Sequence, residues 1–167
     1  YKGSAYVKIT EGCDNRCTFC AIPIIRGQLR SRTITEIVAE IKALLSRGIK
    51  EFNLIGQDLA AFGSGKDDCV FASTEKDSTK SNLLCLLEKI AELKGDFWVR
   101  LLYIHPDHFN TDILDLLQKD KRFLPYFDIP FQSGDDKIIR AMNRKGSFES
   151  YVALVNQIRE RLEDCCI

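Results

Sequence analysis

No sign of charge dominates this chain. Lys plus Arg and Asp plus Glu number 24 each among 167 residues, so no global basic field recruits nucleic acid. No apolar run approaches the roughly 20 residues of a membrane span, and no signal peptide opens the sequence. The expectation is a cytoplasmic chain with no membrane attachment. A disulfide framework is also missing: seven cysteines in a non-secreted chain read as metal or catalytic thiols. What remains is ordinary soluble composition, 45% hydrophobic and 29% charged. The length suits one domain with a core that needs no staples.

The cysteines are unevenly spread. Cys13, Cys17 and Cys20 form a C-x3-C-x2-C run within eight residues, directly after a strand-like stretch. Cys85 falls in an apolar helical run and reads as a small buried hydrophobe; Cys69, Cys165 and Cys166 carry no assigned chemistry. Thiolates this close can share one metal centre. Structural zinc and most iron–sulfur centres take four protein ligands, so a three-cysteine set leaves one coordination position open. A zinc site with His105 as fourth ligand is the bland alternative. Against it stands the absence of a second C-x2-C knuckle. An electron-transfer iron–sulfur protein is the other rival.

Periodicity organises the rest. Tyr6–Thr10 alternates as a strand. Thr33 and Glu36 form a capping box for a helix with Ile34, Ile37, Val38, Ile41, Leu44 and Leu45 on one face, ending at Gly48. Strands are expected over 51–58, 98–104 and 127–132, and helices over 83–93 (entered at Ser81), 110–118, 135–143 and 147–162. Residues 63–80 read as a long exposed loop. Alternating strands and helices imply parallel pairing, and four such units curve toward a barrel. Cys165-Cys166-Ile167 reads as the start of one more strand. The expected fold class is therefore α/β, a partial (β/α) barrel truncated before its last strands. Chemistry in such folds gathers at the C-terminal strand ends. There lie the cysteines, Gln57 and Asp58, His105, and Gln132 with Ser133; His105 and His108 are read as structural.

The cysteine spacing, with Phe19 before the last cysteine, resembles the radical S-adenosylmethionine (SAM) superfamily. The resemblance implies a partial radical-SAM barrel in which Cys13, Cys17 and Cys20 hold a [4Fe-4S] cluster whose free iron chelates SAM. Reductive cleavage would then give a 5′-deoxyadenosyl radical. Gly56-Gln57-Asp58 matches the position of the motif that contacts the SAM ammonium, with Gln departing from the commonest Gly-Gly-Glu form. Phe19, Arg100 (toward the SAM carboxylate, with Asp128 as its structural alternative), Gln132 and Ser133 complete the expected cofactor contacts. Arg26 is open between neutralising the cluster, reaching a substrate carboxylate and lying in a solvated loop, and no catalytic residue is assigned.

Four passages carry the resemblance further: Glu11 to Cys20, Ile22-Pro23 with Arg26-Gly27 and Ser31-Arg32, Ile55 to Asp58, and Phe127 to Ser133. They are similar to the methylthiotransferases across the whole chain. That family implies an N-terminal domain with a second [4Fe-4S] cluster and a C-terminal TRAM domain, both outside 1–167. The chain is thus an incomplete core, inactive alone. Asp58 after Gly-Gln and the Arg100-Leu-Leu-Tyr-Ile-His-Pro passage favour the ribosomal-protein (RimO-type) branch. That branch methylthiolates the β-carbon of an aspartate in a small-subunit ribosomal protein. The alternative is the tRNA adenosine (MiaB-type) branch. The implied electron donor is a protein such as flavodoxin or ferredoxin.

Overall fold

The computed structural model describes residues 3–71 and 79–167. In chain order the elements are β1 (Ser4–Lys8), β2 (Thr10–Glu11), α1 (Ile22–Arg26), β3 (Arg30–Ser31), α2 (Ile34–Ser46) and β4 (Glu51–Ile55), followed by α3 (Asn82–Ala91), β5 (Trp98–Leu101), α4 (Leu114–Lys119), β6 (Phe123–Phe127), α5 (Asp136–Ala141) and α6 (Phe148–Arg161). β1, β4, β5 and β6 form one parallel sheet in that order, and β2 pairs with β3 antiparallel. Cys166 bridges Tyr126 in parallel, so the terminal residues do extend the sheet beyond β6.

Register explains the layering. Val7, Phe52, Leu54, Val99, Leu101, Phe123 and Phe127 alternate onto one face, each 1% exposed or less. Ile37 and Ile41 of α2, Leu86, Leu87 and Ile90 of α3, Leu114 and Leu117 of α4, and Ile158 of α6 join them in one cluster. The opposite face carries Tyr6 and Trp98, 68% and 54% exposed. Helices on one face only is the layering of a barrel wall rather than of a doubly wound sheet.

The local signals that start the helices act as their chemistry requires. Thr33 and Glu36 make both bonds of the capping box, and Ser81 accepts from Leu84 N–H to begin α3.

Three expectations need correction. The fourth strand is Phe123–Phe127, not 127–132. Pro130 has no N–H to give a ladder, and Phe131 and Ser133 donate instead to carbonyls two residues back, at 3.0 and 2.9 Å. The exposed loop shrinks too: Val70 is 3% exposed, and Asp68 accepts from Ser31 N–H and Gly65 N–H. Its residues 72–78 lie outside the described residues. Finally, the first strand divides, because β1 stops at Lys8 and Thr10 turns away to pair with Ser31.

Candidate iron–sulfur and cofactor site

The loop 12–20 leaves the C-terminal edge of the sheet and is fastened on several sides. Gly12 has φ +78, and a Cβ there would stand 2.1 Å from Gln28 O, so only glycine fits the entry. Cys13 N–H donates to Gly27 O at 3.2 Å, and Asp14 accepts from Leu29 N–H at 3.0 Å. Farther along, Thr18 N–H and hydroxyl donate to the Met142 and Ala141 carbonyls at the end of α5, and Asn143 donates to Arg16 O at 2.8 Å. Cys20 Sγ accepts from Ile22 N–H at 3.5 Å. All three cysteines are free and half-buried. Burial pushes the Cys13 thiol up, the Asn15 backbone opposes this, and the neighbouring charges of Asp58, Cys17 and Cys20 add to the rise. One thiol thus senses the other two and Asp58 together.

The spacing of the sulfurs tests which centre fits. Among the described residues, the only trio of potential ligand atoms lying within 4.8 Å of one another is Asp58, His105 and His108. The three cysteine sulfurs do not all lie within that distance of one another. A tetrahedral zinc with Zn–S bonds of about 2.3 Å holds its sulfurs about 3.8 Å apart. The donor set therefore fits a multi-iron cluster better than one ion. Nor does His105 join two of the cysteines within 4.8 Å; its Nδ1 accepts from Asp107 N–H at 3.2 Å and its ring stacks on His108 at 5.0 Å.

Around the loop lie the other expected residues. Phe19, between Cys17 and Cys20, is 54% exposed. Gly56 sits where a Cβ would meet Thr10 Oγ1 at 2.1 Å, so packing alone demands glycine there. Gln57 Oε1 is buried without a protein partner, as are Thr10 Oγ1, His105 Nε2 and Arg144 Nε. Asp58 is 0% exposed. Its Oδ1 accepts from Ala60 and His105 N–H at 3.1 and 3.2 Å; its Oδ2 meets Asn15 Nδ2 at 3.2 Å and His108 Nδ1 at 2.7 Å. Gln132 and Ser133 follow β6 on the same rim.

Arg100 does not join them. It pairs with Glu51, at the opposite end of β4, at 3.1 Å and lies 4.9 Å over the Tyr126 ring. The charge mid-strand did need a partner, and that partner is Glu51 rather than Asp128.

Sequence reasoning missed the contributions of Asn15, Thr18, His108 and Asn143. It also missed Tyr103, whose φ of +70 is unusual for a bulky residue. Gln132 and Asn143 share that left-handed conformation, so all three such non-glycine residues among the described residues follow β5, β6 and α5 at the cysteine-bearing rim. Strain of this kind collects at functional sites. Burial raises the Tyr103 phenol, and the charges of Cys20 and Cys17 add to this while Arg144 opposes it.

A family profile described as the radical SAM superfamily matches residues 7–167. The chain belongs to the radical SAM superfamily. Radical SAM relatives of known sequence include the ribosomal protein uS12 methylthiotransferase RimO of Treponema denticola, 60% identical over 160 residues, which covers 96% of this chain and 34% of that protein. The RimO of Dictyoglomus thermophilum is 41% identical over 97% of this chain and 34% of its own length. The chain thus spans about a third of the curated relatives it matches. Among solved structures, the radical SAM methyltransferase TsrM of Kitasatospora setae superposes with a TM-score of 0.68 at 17% identity, covering 95% of this chain and 29% of that one. That likeness speaks to the fold.

Proposed function

We propose that this chain is the cluster- and SAM-binding core of a methylthiotransferase that modifies the β-carbon of an aspartate in ribosomal protein uS12. The observation that carries the reading is the 60% identity to the Treponema denticola enzyme over nearly the whole chain. On this reading a domain with a second [4Fe-4S] cluster precedes the core and a TRAM domain follows it. Both act in the cytoplasm with a protein electron donor such as flavodoxin or ferredoxin.

Cys13, Cys17 and Cys20 would hold a [4Fe-4S] cluster, which when bound would supply the electron for reductive cleavage of SAM. The chain's own contribution is placement. Gly12 and the Asp14 bond set the start of the loop, and the Thr18 and Asn143 bonds set its end. The Ile22 N–H bond to Cys20 Sγ orients the last sulfur of the loop. The buried, unpartnered Gln57 Oε1 is an acceptor for a cofactor ammonium. Phe19 supplies an apolar wall beside the loop, and Gln132 and Ser133 supply polar groups across it. The Asp58 carboxylate, with four protein partners, holds the rim together.

The substrate is tested with the full-length enzyme, reconstituted anaerobically and assayed on ribosomal protein uS12 and on tRNA. Mass gain on uS12 alone is the expected result. Modification of tRNA alone would move the enzyme to the tRNA branch.

A further inference from the structure

We infer that Asp58 is the positioning residue of the cluster loop, a buried latch that holds Asn15 against the strand ends, with His108 as its counter-charge. The inference rests on the cluster reading above and departs from a cofactor-facing role for this carboxylate. Its acceptor capacity is taken up within the protein, two donors to each oxygen, and none of its surface is exposed. Three chain segments converge on it: the cluster loop through Asn15, the turn after β4 through Ala60, and the segment after β5 through His105 and His108. Asn15 stands between Cys13 and Cys17, so its orientation sets the turn that separates two ligands. The other bonds that fasten residues 13–18 use neutral groups or half-exposed side chains. Asp58 alone brings a fully buried charge, and hydrogen bonds to ionised groups are the strong ones.

The trio of Asp58, His105 and His108 also resembles a metal site, but Oδ2 and Nδ1 stand 2.7 Å apart, the separation of a direct hydrogen bond. His105 Nδ1 is engaged with Asp107 N–H, which leaves only its Nε2 free, one nitrogen beside an Asp–His pair already bonded to each other. An ion pair with a stacked neutral imidazole accounts for the trio without an ion.

The geometry yields a swap. In Asp58→Asn, Oδ1 still accepts from Ala60 and His105, while Nδ2 takes the place of Oδ2 and meets Asn15 only if that amide flips to present its oxygen, so a hydrogen bond to a charged group becomes a neutral one. Adding Asn15→Asp restores a charged acceptor opposite Nδ2. In the full-length polypeptide, reconstituted anaerobically, Asp58→Asn is expected to lose iron to a chelator about tenfold faster, the scale of one lost hydrogen bond to a charged group. The Asn15→Asp/Asp58→Asn pair is expected to return toward the parent rate. The EPR of the reduced cluster should show the same loss and rescue, and the SAM concentration that half-saturates the EPR change should stay constant. Weakened SAM response with unchanged iron release, and no rescue, would overturn the latch in favour of a cofactor ligand. Should Asp58→Asn fail to fold, Asn15→Leu carries the test: faster iron loss supports the latch, an unchanged rate refutes it. If the parent protein forms no SAM-responsive cluster, the cluster reading itself fails. The latch is then judged in the metal-free protein by alkylation of Cys13 and Cys17, faster in Asn15→Leu if it exists and unchanged if it does not.

Discussion

Replacing Gly56 by alanine drives a methyl group into Thr10. The added Cβ would lie 2.1 Å from Thr10 Oγ1 and 3.4 Å from Thr10 Cβ and Leu59 Cδ2. Thr10 is 1% exposed and β-branched, so its side chain has neither solvent to enter nor a second easy rotamer. The backbone of Gly56 is not left-handed, so the cost is one of packing, about 1–3 kcal/mol for an overpacked site. In a chain of this size each kcal/mol lowers Tm by about 2–4 °C. Thr10→Ala removes the obstructing oxygen, which has no protein partner to lose. Urea unfolding of both single variants and the double should therefore give a favourable coupling of about 1–2 kcal/mol. Additive effects would refute the steric account. SAM binding separates packing from ligand approach: if Gly56 also clears a path for the cofactor, the double variant regains stability without regaining SAM binding.

Other consequences are simpler. Arg100→Met removes a half-buried ion pair and a cation–π contact, costing about 1 kcal/mol by thermal unfolding and leaving SAM binding intact; lost SAM binding would restore the cofactor role read from sequence. His108 is raised chiefly by its hydrogen bond to Asp58. Its contribution is fully present below the unfolded imidazole pKa of about 6.5 and is lost as pH rises through the higher folded value. The stability gap between the parent and His108→Gln should therefore narrow from pH 6 to pH 9; a gap that widens contradicts the pairing. Burial lowers His105, so its contribution runs the other way: His105→Phe should relieve part of the stability lost on acidification below about pH 6.5, and an unchanged acid limb would contradict this.

How far the sequence disclosed this molecule depended on the range of each interaction. Local chemistry was legible. Thr33 and Glu36, Ser81, and the apolar face from Ile34 to Ile41 announced their helices because cap and stripe lie within a few turns. Alternation found β1, β4 and β5, yet it misplaced β6: Phe127 to Gln132 alternates as a strand does, while Pro130 denies it a ladder. The two-residue strands β2 and β3 are too short for any period, and α1 buries none of its residues, so neither left a hydrophobic trace. The cysteine loop was legible from spacing alone. What fastens it was not, since Asn15 meets Asp58 across 43 residues and Asn143 reaches Arg16 across 127. Contacts at such separations leave no pattern in a single sequence. For the same reason Arg100 was sent to the wrong partner: nothing local connects it to Glu51.

The central claim is that Cys13, Cys17 and Cys20 hold a [4Fe-4S] cluster with an iron open to SAM. Anaerobic reconstitution with iron and sulfide, followed by EPR of the dithionite-reduced protein with and without SAM, addresses it directly. The account predicts a [4Fe-4S]⁺ signal that changes on SAM addition and disappears in the triple cysteine-to-alanine variant. A cluster signal indifferent to SAM, or uptake of zinc without iron, would contradict it.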